Sequence, residues 1–244
     1  MDPMTAMAAS GLRSRMDSLD LLANNMANAS TGGYKADREF YSLYTAGEAQ
    51  DSGSDTTMPV VQQPWTDLSQ GPITSTGNSL DVALSGQGFF GISGPTGTLY
   101  TRNGGFHLAA NGQLVTTDGY SVRSVTGTPL TAQSTLPLTI SQDGTLTQDG
   151  QPIGQMEIAD FTSTAGLTKQ GSNYFRQSDP AVKPSAPTST TVEQGKLEAS
   201  NTGTAESAVR LVTIMRQFEM LQKAVMIGND MSKEAIEQVA KVGS

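Results

Sequence analysis

The sequence predicts an α+β chain: a helix at each end and an antiparallel β-rich domain between them. Three observations predict it. Apolar residues recur at steps of three and four only near the two termini. Asn-Gly and Asp-Gly pairs punctuate short alternating runs in the middle. The 26 glycines, with few charged residues, mark a turn-rich body rather than a helical one.

Residues 1–30 form the first element. From about Met4 to Ala29 there is no proline, and Leu12, Met16, Leu19, Ala23 and Met26, with Leu22 beside them, make one stripe on a helix of about seven turns. Arg13, Asp17, Asp20 and Asn24 line the other face. The Thr-Gly-Gly run from Thr31 to Gly33 stops the helix.

Residues 31–74 read as an extended connection or β linker, because TAGEAQDSGSDTTMPVVQQP is rich in Ser, Thr, Gln and Pro. Residues 75–192 read as a β-rich outer domain. Asn103, Asn111, Asp118, Asp143 and Asp149 each precede a glycine, and runs such as GQLVTTDGYSV flank them, so each pair predicts a hairpin turn. A second polar connection, RQSDPAVKPSAPTSTTVEQG, follows.

Residues 193–244 supply the last connection and helix. Thr204 caps it, Glu206 sits in the first turn, and Leu211, Ile214, Phe218, Leu221 and Val225 repeat at three and four. Glu206 with Arg210, and Glu219 with Lys223, stand at i, i+4 on a solvated flank. The Gly-Asn-Asp run from Gly228 to Asp230 is where a bend or break is expected, before the pattern resumes through Ile236 and Val239.

Catalytic and cofactor classes fall away in turn. In LDVALSGQGFFGI, Gly86, Gly88 and Gly91 match GxGxxG, yet Gly94, Pro95 and Gly97 follow where a phosphate-binding helix would have to begin. The acidic residue expected about 20 positions later is missing too. Gly86 and Gly88 are read instead as a turn with φ > 0 between two strands, with one ring of Phe89 and Phe90 in the core. The single histidine, His107, lies between hairpin signals and is read as a solvent-facing strand residue, not part of a triad. There is no cysteine, and the aspartates sit in turns without a calcium-loop pattern. No catalytic residue, metal or cofactor is expected. Asn28-Ala29-Ser30 matches a glycosylation sequon but reads as the cap region of the helix.

A net charge of −8 without a basic patch argues against nucleic acid. No apolar run approaches the roughly 20 residues needed to span a bilayer, so direct membrane insertion is not expected. The amino terminus lacks a basic region followed by an apolar one, the mark of a cleaved secretory signal. An isolated terminal helix is marginal, so two of them joined to the body by polar connections read as assembly elements.

The stretch LLANNMANASTGGYK, ending at Lys35, closely resembles the amino-terminal signature of the flagellar axial proteins of the rod and hook. SLDVALSGQGFFGI with LYTRNGGFHLAANGQLVTTDGY, then QGKLEASNTGTAESAVRLV and IMRQFEMLQKAV, agree with the family in order along nearly the whole chain. The RQFEM run and the short middle resemble the proximal-rod type, and the distal-rod type is the close alternative. LEASNTGT departs from the family's usual Ser-Asn-Val followed by an acidic helix start.

The resemblance implies a structural subunit of the flagellar basal-body rod. It implies export through the flagellar type III apparatus without a cleaved signal, and polymerisation in the periplasm with other rod subunits and adjacent axial proteins. The terminal helices would pair as an inner coiled-coil layer with the β domain outside. Leu12, Met16, Leu19, Leu22 and Met26 would then meet Leu211, Ile214, Phe218, Leu221 and Val225. Asn24, Asn25 and Asn28, with Thr31, Gly33 and Tyr34, make the amino-terminal motif, the asparagines bonding the helix end and the turn after it. A rival reading, a carbohydrate-binding β module with helical tails, is disfavoured by a single tryptophan, Trp65, and few aromatics.

Overall fold

The computed structural model describes residues 3–45, 57–133, 136–161, 163, 166–171 and 173–242. They divide into two compact units: one of residues 1–27, 37–67 and 203–244, the other of residues 28–36 and 68–202.

The first unit begins with helix α1, Pro3–Ala27, whose proline falls in the first turn, where a missing N–H is tolerated. Strands β1, Asp37–Thr45, and β2, Thr57–Thr66, form an antiparallel pair, so the polar linker is in part a β-hairpin. Residues 46–56, the centre of that linker, lie outside the described residues. The register shifts between Arg38 and Phe40, opposite Gln63 and Pro64, a bulge that accommodates a residue unable to donate to a ladder. Helix α2 runs Thr204–Val242 without interruption. The run Gly228–Asp230 does not break the helix: a glycine costs a helix interior only about 1 kcal/mol, which long flanks of good helix formers absorb. Helix α1 packs against α2 and against the hairpin.

In the second unit the largest sheet is antiparallel. Its strands run in the order Leu167–Gln170, Tyr174–Gln177, Gly97–Thr101, Phe89–Gly94, Ser121–Val122, Leu114–Thr116 and Phe106–Leu108. Ile158–Phe161 also pairs with Phe89–Gly94. A three-stranded sheet joins Leu138–Ile140, Thr145–Gln148 and Gln151–Gln155. Two further pairs are Val82–Ser85 with Thr191–Gln194 and Ile73–Ser75 with Lys196–Glu198. The second polar connection therefore contains strand as well as loop.

The turns at Asn111-Gly112, Asp118-Gly119, Asp143-Gly144 and Asp149-Gly150 join sequence-adjacent strands that pair directly. Asn103-Gly104 does something else. It joins Gly97–Thr101 to Phe106–Leu108, which are not neighbours in the sheet, and Gly104 accepts a hydrogen bond from the Val82 N–H at 3.0 Å.

Successive strand residues point to opposite faces, and Phe89 and Phe90 serve a core on each. Phe90 joins Val82, Leu84, Ile92, Leu114, Leu146 and Met156 in the larger core, and Phe89 joins Tyr100, Phe161 and Phe175 in the smaller. Both rings are buried, where the sequence pointed to one. The sheet is covered on both faces at this strand, so there is no solvent side for either ring.

Candidate functional site: helix faces and a buried junction

The first candidate surface is built on the two helices. On α1 the buried residues are Gly11, Ser14, Ser18, Leu22 and Asn25, with Leu21 half-buried. Gly11, Ser14, Ser18, Leu21 and Asn25 repeat at three and four, one position before the stripe expected from apolar residues alone. Leu12 and Leu19 flank this face half-buried, whereas Met16 is 55% exposed and Met26 38%. Small residues explain the displacement. A β-carbon at position 11 would lie 3.4 Å from each terminal methyl of Leu221, so the two backbones approach across a glycine. Ser18 donates to the Ser14 carbonyl at 2.9 Å, which lets a hydroxyl be buried without an unpaired group.

On α2, Ile214 is buried, and Leu211, Phe218, Leu221 and Val225 are half-buried on the same side. The opposite side is apolar too. Val209 is 70% exposed, Met220 62%, Ile227 59% and Met231 63%. Val209 precedes Phe218 by nine residues, about two and a half turns, and so points the other way. Arg210 pairs with Glu39 of β1 at 3.1 Å, a partner that helical i, i+4 spacing did not indicate.

Asn24 is exposed, but Asn25 is buried and clasps β1. Its Nδ2 donates to the Asp37 carbonyl at 2.8 Å, and its Oδ1 accepts the Asp37 N–H at 2.9 Å. The side chain thereby reproduces one rung of a β ladder.

The rest of the amino-terminal motif belongs to the second unit. Asn28 accepts from Thr31 twice, through its carbonyl at 3.0 Å and its side chain at 3.3 Å. Gly33, at φ 66°, donates to the Glu198 carbonyl at 2.8 Å, and a β-carbon there would fall 2.3 Å from the Asn103 nitrogen. Tyr34 is fully buried, with the Lys169 ammonium 4.0 Å from its ring centroid.

Lys35, which the sequence did not single out, is fully buried as well. Its Nζ donates to Glu198 Oε1 and to the Ser69 carbonyl, each at 2.5 Å. Glu198 Oε1 also accepts the Gly71 N–H at 2.9 Å, and its other oxygen takes Arg102 Nη1 at 3.2 Å. Arg102 Nη2 in turn donates to the Gly86 carbonyl at 2.7 Å, and its guanidinium lies 5.4 Å from the Phe89 ring centroid. Burial pushes the Arg102 pKa down, and Glu198 works against that shift. Gly86 and Gly88 hold φ of 112° and 118°, and the turn they make serves an internal arginine. Two signals could have found this cluster: a lysine in an otherwise small and polar motif, and a lone glutamate in LEAS next to an apolar strand residue.

His107 stands exposed on its strand. Among the described residues no group of His, Asp and Glu is arranged to hold a metal ion, and no helix is long and apolar enough to cross a membrane. The chemistry on offer is that of surfaces and buried ion pairs.

Comparison with known proteins agrees in both units. Residues 83–148 match the flagellar hook protein FlgE/F/G D1 domain, and residues 193–238 match the flagellar basal body rod FlgEFG protein C-terminal region. The chain is 35% identical over 253 residues to the flagellar basal-body rod protein FlgG of Agrobacterium fabrum, covering 93% of this chain and 95% of that one. It is 32% identical to FlgG of Bacillus subtilis over 257 residues, with coverage of 93% and 95%. To the basal-body rod protein FlgF of Caulobacter vibrioides it is 30% identical over 227 residues, with 92% of each chain covered. With its helices, its β body and nearly its whole length matched, the chain belongs to the flagellar basal-body rod protein family.

Proposed function

We propose that this chain, a structural subunit of the flagellar rod, polymerises through its terminal helices into a shaft that transmits torque. The observation that carries the reading is the second apolar face of α2. A helix with apolar residues on opposite sides needs a partner on both, and α1 supplies only one. Heptad spacing supports a coiled-coil seam within the subunit: 11, 14, 18, 21 and 25 on α1 against 211, 214, 218, 221 and 225 on α2. Contacts from the outward face to neighbouring copies are heterologous, and a rotation that does not close generates a tube. The partners are other rod subunits and adjacent axial proteins, with the export apparatus met in transit and the basal body as destination. The work is mechanical, so no catalytic group is called for.

Within the rod, the RQFEM run supports the proximal position. The 35% identity to a FlgG protein supports the distal one as the second reading. Labelling the protein in isolated basal bodies separates them by position along the axis.

The decisive experiment replaces an outward residue. In cells lacking the native gene, Ile227→Asp is expected to give a stable, exported protein and no completed rod, because a carboxylate would be buried unpaired in every repeat. Motile cells with complete basal bodies would refute the helix-mediated assembly.

A further inference from the structure

The inward and outward helix faces use different chemistry. Among the described residues, the α1–α2 seam and its half-buried flanks use Leu12, Leu19, Leu21, Leu22, Leu211, Ile214, Phe218, Leu221 and Val225, and no methionine. Among the described residues, the large apolar side chains exposed on the helices are Met16, Met26, Met215, Met220, Met226 and Met231, with Val209, Val212 and Ile227. Six of these nine are methionine. The four exposed on the other described residues, Trp65, Val125, Leu136 and Ile153, include none. Met156, in the β core, is 1% exposed.

We propose that oxidation of these outward thioethers gates self-association of the chain. The inference rests on the assembly reading above, in which the occupant of this face is a second copy of the same chain. Hydrogen peroxide supplies the oxygen: its O–O bond breaks, an S–O bond forms at the methionine sulfur, the sulfur loses two electrons, and water leaves. The product is a sulfoxide, a polar and chiral group on a face that association would bury. Among the described residues each copy carries six such sulfurs, all exposed before assembly, and once neighbours cover them attack is hindered. Among the described residues the seam inside the subunit holds no sulfur, so there oxidation falls on the outward face, which turns polar. Thiol-dependent reduction of the sulfoxides restores the apolar face.

The test uses the full purified chain, before and after hydrogen peroxide, with sulfoxide counted by intact mass and association followed by sedimentation velocity. Oxidised wild type is expected to associate at least about tenfold more weakly with unchanged helical circular dichroism, and to recover on enzymatic sulfoxide reduction. A variant with all six replaced, Met16→Leu, Met26→Leu, Met215→Leu, Met220→Leu, Met226→Leu and Met231→Leu, keeps apolar volume and is expected to associate equally with and without peroxide. Full association of the oxidised wild type, or equal loss in the leucine variant, would overturn the gate alone. A chain that stays monomeric before oxidation would overturn the assembly reading and the gate with it.

Discussion

Gly11 and Leu221 meet where α1 crosses α2, and the missing β-carbon of the glycine would sit 3.4 Å from both terminal methyls of the leucine. That distance is ordinary contact for a single methyl and too short for anything longer. Gly11→Ala is therefore expected to stabilise the helix pair by up to about 1 kcal/mol, through helix propensity. Gly11→Leu is expected to cost about 1–3 kcal/mol by forcing the helices apart. Thermal unfolding followed by helical circular dichroism ranks the three, and a leucine variant as stable as the alanine one would contradict the close approach.

The buried pair of Lys35 and Glu198 makes a prediction of asymmetry. Glu198→Gln keeps the shape but takes from Lys35 and Arg102 the carboxylate they share, a loss of about 3–5 kcal/mol. Lys35→Met removes a buried charge, and Arg102 still neutralises the carboxylate, so its cost is smaller. Denaturant titration of the two variants should separate them, and equal losses would refute the shared-anion arrangement.

Two glycines should differ in the same direction as their surroundings. Gly33→Ala brings a β-carbon to 2.3 Å from the Asn103 nitrogen, whereas at Gly88 the nearest atoms would be 3.3 Å away. Both positions have positive φ, so both substitutions cost at least about 1 kcal/mol. Gly33→Ala is expected to be the worse of the two against Gly88→Val, despite its smaller side chain. Melting temperatures decide it.

Tyr174 gives a pH dependence. Burial, then the hydrogen bond its hydroxyl donates to Asp118 at 2.6 Å, push its pKa well above the usual tyrosine value. The neutral phenol is the form the fold accommodates, so its stabilisation is complete below about pH 10. Above that pH the unfolded chain ionises Tyr174 while the folded chain does not, and stability falls by up to about 1.4 kcal/mol per pH unit. Tyr174→Phe is expected to remove this part of the alkaline slope. Denaturation at a series of alkaline pH values compares the two, and identical slopes would rule the assignment out.

What could be read in advance was periodic or local. Leu211, Ile214, Phe218, Leu221 and Val225 share one side of α2 because a three-four repeat allows nothing else, and Asp149-Gly150 turns because both residues hold positive φ, 49° and 72°. The buried face of α1 lies about one residue from its apolar stripe, because smallness and not apolarity decides it: Gly11, Ser14 and Ser18 are buried for what they lack. The β1–β2 hairpin hid inside a polar stretch with two prolines, one of them at a bulge. Lys35, Arg102 and Glu198 are far apart in sequence and meet only through the fold, so a window of residues can mark the lysine or the glutamate as odd but cannot pair them. Asn25 was assigned to the helix end, and its clasp on Asp37 depended on where β1 begins.

The same buried pair also sets an order of arrival. Lys35 and Glu198 are 163 positions apart, and the Ile73–Ser75 strand likewise waits for Lys196–Glu198. In a chain that appears amino end first, Glu198 reaches Lys35 only after four-fifths of the length has been released, roughly ten seconds or more at ribosomal speed. Through that interval the β body lacks its closing strand and the anion at its centre. Such high-separation closure is slow as well as late. A polypeptide arranged in this way completes its β body only when its last quarter arrives.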